Sequence, residues 1–171
     1  MITNLNFKRI ILLNVGILFT CLGTFAQTPY NIVMSFYGDT DTQMSFNWFC
    51  NPGVTNGKVE IIGVNPVTAT CTQYSGFSRN EAVVTGLSPN TTYSFKVCNN
   101  NTCSATGTFT TAKTKGNKDP FSFVYITDSQ DGNLQNNVSA ASQNCPNAKF
   151  WIHCGDLVWD DANSQTELTI N

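Results

Sequence analysis

The sequence predicts a β-sandwich followed by the first βαβ unit of an α/β layer. Three observations carry this. Short alternating apolar runs broken by turn clusters fill residues 29–113, a Lys- and Gly-containing joint follows at 114–120, and two nearly continuous apolar runs, 121–126 and 149–154, then flank a polar segment. A length of 171 residues accommodates one domain or two small ones at roughly 100 to 200 residues each. With 41% hydrophobic and 12% charged residues the composition is that of a chain that buries a core.

Residues 1–26 read as a secretory signal. Lys8 and Arg9 form a basic start, 10–22 an apolar stretch, and Thr24-Phe25-Ala26 a small-x-small cleavage site. The apolar stretch is short for a membrane span of about 20 residues, so no stable span is expected after cleavage and the protein is expected to be secreted, extracellular or periplasmic. An uncleaved anchor is the competing reading. Removing the segment leaves seven basic against eleven acidic residues and six cysteines. An acidic chain whose basic residues cluster only at 113–118 lacks the footprint of a nucleic-acid binder.

Six cysteines in an oxidising compartment admit fifteen pairings. Cys98 and Cys103 flank the turn-forming Asn99-Asn100-Asn101-Thr102, and Cys50 and Cys71 could bridge neighbouring strands. Cys154, inside an apolar run, reads as a small buried hydrophobe. Asn90-Thr91-Thr92 and Asn137-Val138-Ser139 are N-glycosylation sequons.

In the first part, residues 43–49 and 58–62 read as strands, with turns at Asn51-Pro52-Gly53 and Asn56-Gly57. Met44, Phe46 and Trp48 alternate with Ser45, Asn47 and Phe49, which gives one face a large apolar load. Further along, Gly86-Leu87-Ser88-Pro89-Asn90-Thr91-Thr92-Tyr93 places Leu87 as a core plug before a Pro-Asn turn. Tyr93, Phe95 and Val97 then alternate inward, with Tyr93 at the position of a tyrosine corner. This G-L-x-P-x-T-x-Y run with an early Trp resembles an immunoglobulin-like fibronectin type III sandwich. The resemblance covers residues 27–113 and assigns Trp48 and Tyr93 to core packing; it names no function.

Beyond the joint, residues 121–126 form an apolar strand ending in Thr127-Asp128-Ser129-Gln130. In 133–144 the apolar Leu134, Val138 and Ala141 are spaced as on a short helix, and Pro146 ends it. A second apolar strand, 149–154, runs into Gly155-Asp156-Leu157-Val158. In a right-handed βαβ unit the two strands are parallel, so Asp128 and Asp156 reach the same rim, where open α/β sheets bind ligands. His153, the one histidine, precedes this rim inside the strand and reads as a structural histidine.

The D-x-Q block at Asp128 and the G-D block at Gly155-Asp156 resemble the first two blocks of the calcineurin-like metallophosphoesterases. A fibronectin-like domain just before them is similar to the purple acid phosphatase arrangement. The resemblance implies an α/β metallophosphoesterase sandwich beginning in residues 121–171, and two divalent or trivalent ions (Fe, Zn or Mn). These would clamp a small phosphate ester and ready a bridging hydroxide for in-line attack. By position Asp128 would ligate the first metal and Asp156 would bridge both. Gln130 stands where many members have a histidine and could offer an amide oxygen, a weaker donor to Zn or Fe. Trp159 stands where the purple enzymes carry their iron-binding tyrosine, so a colourless relative is expected. Asp160 and Asp161 read as solvated loop acids. The family's later Asn and His ligands have no counterpart in the sequence, so the expectation is an N-terminal piece of a phosphoesterase, inactive by itself. The competing class is a secreted, non-catalytic fibronectin-like binding or spacer module.

Overall fold

The computed structural model describes residues 28–128 and 134–155. Two antiparallel sheets face each other across the first part. One has the order β1 (Tyr30–Ser35), β2 (Met44–Cys50), β6 (Ser78–Val84), β5 (Thr70–Gln73). The other runs β4 (Val64–Thr68), β3 (Gly57–Ile61), β7 (Thr92–Asn99), β8 (Thr102–Cys103), with β9 (Gly107–Thr110) also pairing β7. β4 and β5 are nearly continuous in sequence yet belong to different sheets; the chain crosses between them at buried Ala69, whose N–H donates to the Gly57 carbonyl at 2.8 Å.

The alternation read from β2 fills the space between the sheets. Phe46 and Trp48 are fully buried, with Met44 beside them, and Val59, Ile61, Val84, Leu87, Phe95 and Val97 complete the packing. Phe46 meets Phe95 at 4.9 Å and Phe109 at 5.7 Å between ring centroids, within the range of favourable aromatic pairs. A buried indole needs an acceptor, and Trp48 donates across the sandwich to Asn99 Oδ1 at 2.8 Å, linking β2 to β7. The Ser88 backbone N–H donates to the Tyr93 hydroxyl at 2.9 Å, the bond a tyrosine corner makes.

One end of the core is polar. Asn80, fully buried, donates to Cys50 Sγ at 3.3 Å and accepts from Cys71 Sγ at 2.7 Å. Burial pushes the Cys50 thiol above its ordinary pKa, and the nearby Cys71 adds to the effect. The expected bridge between Cys50 and Cys71 is not made: both are free. They lie on β2 and β5 with β6 between them. Two strand spacings of about 4.8 Å exceed what a disulfide can span. Cys98 and Cys103, directly opposite on β7 and β8, are joined. Gly57, read as a turn residue, opens β3 instead and pairs with Asn99; a Cβ there would collide with the Asn80 amide.

After the joint, β10 (Val124–Ile126) and β11 (Trp151–His153) pair in parallel, with α1 (Leu134–Asn144) between them in sequence. Val138 on α1 is 38% exposed, less covered than a helix lying on a sheet would require. The joint itself is fastened to the sandwich. Ala112 N–H donates to the Thr40 carbonyl at 3.1 Å, Lys115 N–H donates to Asp41 Oδ2 at 3.1 Å, and the Lys113 ammonium pairs with Asp119. Among the described residues no helix is long and apolar enough to cross a membrane.

Candidate metal-binding rim

A parallel pair places both C-terminal tips on one side, and the register fixes which residues meet there. Tyr125 lies opposite Ile152 and Ile126 opposite His153; the ladder then continues one step as Cys154 N–H donates to the Ile126 carbonyl at 3.0 Å. Thr127, Asp128, Cys154 and Gly155 therefore form the rim. Asp128 is exposed and sits at φ +54°, a left-handed conformation that Asp tolerates better than most side chains and that turns the chain off the strand. Gly155 is also left-handed, at φ +98°, where a Cβ would be strained. Both strands thus leave the sheet through a residue suited to an abrupt turn.

The Thr127 hydroxyl can donate its one proton to either of two acceptors, Asp128 Oδ2 at 2.7 Å or, on the neighbouring tip, the Cys154 carbonyl at 2.8 Å. Of the other residues assigned to metal binding, Asp156 and Gln130 lie outside the described residues, as do Trp159, Asp160 and Asp161. His153 is half-buried within β11.

Cys154 departs from its reading as a buried hydrophobe: it is exposed, because the strand ends just before it. The neighbouring Cys154 side chain, first by hydrogen bonding and then by charge, with slight desolvation and Asp128 adding less, holds the Tyr125 phenol above its ordinary pKa. Neither Tyr125 nor Cys154 was singled out as a site residue from the sequence. The signal was available in the pairing: period two puts positions 125 and 127 on one face of β10, and the parallel register brings 154 beside 127.

Elsewhere, Glu60, Cys98 and Cys103 bring ligand atoms within 4.8 Å of one another, but the two sulfurs are bonded to each other and offer no thiolate. A shallow cleft of about 460 Å³ on the sandwich is lined by Glu60, Ile62, Val64, Pro66, Ser94 and Lys96, with one acid and one base among otherwise neutral groups. The two sequon asparagines are placed differently. Asn90 is exposed in a turn at φ +48°, whereas Asn137 is half-buried within α1.

The family model of the purple acid phosphatase N-terminal domain matches residues 29–111. This segment is thus similar to the N-terminal domain of purple acid phosphatases. No curated protein matches the chain. A solved structure described as a computer-based redesign of a β-sandwich protein is similar at 24% identity, covering 52% of this chain and 98% of its own, with a TM-score of 0.32. The purple acid phosphatase-like segment contains the whole two-sheet sandwich, β1 to β9, and ends before the joint. The rim at Asp128 lies outside it, on the strand pair that follows.

The two parts touch through aromatic rings. Phe150, just before β11, packs edge-on against Phe36 of the sandwich at 5.3 Å and stacks on Phe123 at 5.2 Å, with Phe121 at 5.8 Å. Chemically, the rim offers an exposed carboxylate at Asp128 and an exposed thiol at Cys154, a hard and a soft donor on neighbouring strand tips.

Proposed function

We propose that the chain belongs to a secreted, metal-dependent phosphoesterase that hydrolyses phosphate monoesters at a dinuclear centre, in the manner of acid phosphatases. On this reading residues 1–26 are the export signal, 27–113 the accessory sandwich, 114–120 the linker and 121–171 the start of a calcineurin-like metallophosphoesterase domain. Asp128 and Asp156 hold the metals, Gln130 is a weaker oxygen donor, and the ions are two of Fe, Zn or Mn. The substrate is a small phosphate ester. What supports the reading most is one juxtaposition: a purple acid phosphatase-like N-terminal domain runs directly into a parallel strand pair that carries Asp128 at its C-terminal rim. The bound ions would supply charge neutralisation and a nucleophilic hydroxide. The chain's own part is to present carboxylates from two adjacent tips.

The 171 residues contain one histidine, so they cannot furnish the several imidazoles the family's centre uses, and they are proposed to be inactive alone. Calorimetric titration with Zn or Mn tests the assignment. Binding by the mature chain, weakened at least about tenfold by Asp128→Asn, is expected; unchanged binding in the variant removes Asp128 from the site. Turnover of p-nitrophenyl phosphate by the mature chain would overturn the proposed inactivity. A second reading, a non-catalytic binding or spacer module, is favoured by the fact that the well-packed core lies in the sandwich. It expects no metal binding at all.

A further inference from the structure

We propose that Glu60, Cys98 and Cys103 form a redox-gated site for a borderline divalent cation such as Zn, closed while the two sulfurs are joined and open once they are reduced. The site lies on the sandwich, apart from the Asp128 rim, and does not depend on the phosphoesterase reading. Three neighbouring strands build it. β7 pairs with β3 on one side and β8 on the other, so Lys58 lies opposite Cys98, Glu60 opposite Lys96, and Cys103 opposite Cys98. Period two puts Lys58 and Glu60, and Lys96 and Cys98, on one face of this sheet. There a Glu60 carboxylate oxygen and the two sulfurs lie within 4.8 Å of one another.

Joined to each other, the sulfurs are not ligands. Reduced, they are two thiols with a carboxylate beside them. A tetrahedral Zn with bonds of about 2.0–2.3 Å needs its ligand atoms about 3.5–3.8 Å apart, and opening the bond lets the sulfurs separate to that spacing. Cys103 is exposed, so water can fill the fourth position. Two thiolates favour Zn or Co over Mg or Ca.

The gate is thiol–disulfide exchange with a dithiol reductant. Its thiolate attacks the exposed Cys103 sulfur, forming a mixed disulfide and expelling Cys98 as a thiolate. The reductant's second thiolate then attacks its own sulfur in that disulfide, which closes the oxidised reductant and frees Cys103. Two electrons have entered the chain and two thiols result. Lys58 and Lys96 flank Cys98 on its own face, and their charge favours the departing thiolate. The cation next displaces the thiol protons to solvent. Lys58 pairs with Glu60 Oε1 at 2.6 Å. A carboxylate has two oxygens, so the ammonium can keep one while the other turns to the cation. Oxidation runs the sequence backwards: two electrons leave, the sulfurs rejoin, and the cation is released.

Cobalt(II) reads the site, because a cobalt–thiolate bond gives a near-ultraviolet charge-transfer band that oxygen ligands do not. The full mature chain carrying Cys145→Ser and Cys154→Ser, which removes the exposed free thiols, is titrated with cobalt before and after reduction. A water-soluble phosphine stands in for the dithiol, since it adds no thiol of its own. The oxidised chain should give no thiolate band. The reduced chain should give one that zinc displaces and magnesium does not, with cobalt affinity, read from that band, at least about tenfold weaker in Glu60→Gln. Cys103→Ser, at the exposed position, should lower both band and affinity. A band of equal strength in the oxidised chain assigns the thiolates to Cys50 and Cys71 and overturns the proposal. A reduced chain without the band, or unchanged affinity in Glu60→Gln, overturns it too. Far-ultraviolet circular dichroism should be the same in both redox states; loss of the sandwich signal on reduction also overturns the site, because Glu60 and Cys98 meet only while β3 and β7 are paired.

Discussion

The sandwich and the strand pair that follows it bury their apolar residues to opposite degrees. In the sandwich, Phe46, Trp48 and Val97 are completely enclosed between two sheets. In the second part, Val124 is the one buried hydrophobic side chain among the described residues, while Phe121, Phe123, Tyr125, Trp151 and Ile152 remain exposed. A sandwich closes on itself because two sheets cover one another, whereas a two-stranded parallel pair has two faces and one short helix to cover them. The first is a self-sufficient body. The second, among the described residues, is a platform whose hydrogen-bonded tips carry Asp128 and Cys154 while most of its large apolar side chains stay exposed. Function, on the reading proposed above, resides in the part that contributes least to folding.

The largest effect should come from the centre of the sandwich. Trp48→Ala removes a fully buried indole and the donor to Asn99 Oδ1, and should cost about 3–5 kcal/mol. Urea denaturation followed by near-ultraviolet circular dichroism measures it. Trp48→Phe keeps most of the packing and loses the bond between sheets, so it should cost about 1–2 kcal/mol. If the alanine variant were no less stable than the phenylalanine one, the sandwich core would not be the body that sets the stability of the molecule.

Much of that body was legible locally. The Met44, Phe46, Trp48 alternation and the Leu87 to Val97 run each contain their own evidence, because inward and outward positions in a strand differ by one residue, and the structure buries the inward set. The tyrosine corner was legible for the same reason: it is made within six residues, Ser88 to Tyr93. What escaped the sequence depends on which strands are neighbours. Cys50 and Cys71 looked able to pair until β6 was found between them, and Gly57 looked like a turn until Asn99 was found opposite and the Asn80 amide in the space a Cβ would take. At the rim, the position of Asp128 at a strand tip followed from where the apolar run stops. Its left-handed backbone, the two acceptors of the Thr127 hydroxyl and the exposed Cys154 did not, since each arises from what the second strand brings alongside.

A smaller effect should appear where the two parts meet. Phe150 touches Phe36 on the sandwich and Phe121 and Phe123 on its own side, and such aromatic pairs are worth about 0.5–1.5 kcal/mol each beyond simple burial. Phe150→Ala should therefore leave the urea midpoint of the sandwich nearly unchanged while loosening the platform. Limited trypsin digestion tests this at Lys113, Lys115 and Lys118 in the joint, where cleavage should quicken several-fold. Equal cleavage rates would mean that the joint is held by its own polar bonds and that the aromatic contact does nothing to couple the parts.

Those polar bonds set the smallest of the expected effects. Asp119 accepts from the Lys113 ammonium and from the Asn117 side chain, and these hydrogen bonds, the Lys113 bond foremost, hold its carboxyl below the usual carboxylate range. A group whose pKa is lower in the folded chain adds stability above the unfolded value and loses it as the pH falls through the folded one. The clip should thus be intact at neutral pH and open only below about pH 4, where an ordinary aspartate protonates. The pair is solvent-exposed, so salt screens it and global stability barely registers it. The measurement is consequently local. Carbon-detected NMR titration should find Asp119 titrating below the ordinary aspartate range and returning to it in Lys113→Met, with no change in the unfolding midpoint. If the Lys113→Met variant also lost stability, the joint would be a structural part of the sandwich rather than a strap across its end, and the division between self-sufficient body and platform would have to be drawn after residue 119 instead of before residue 113.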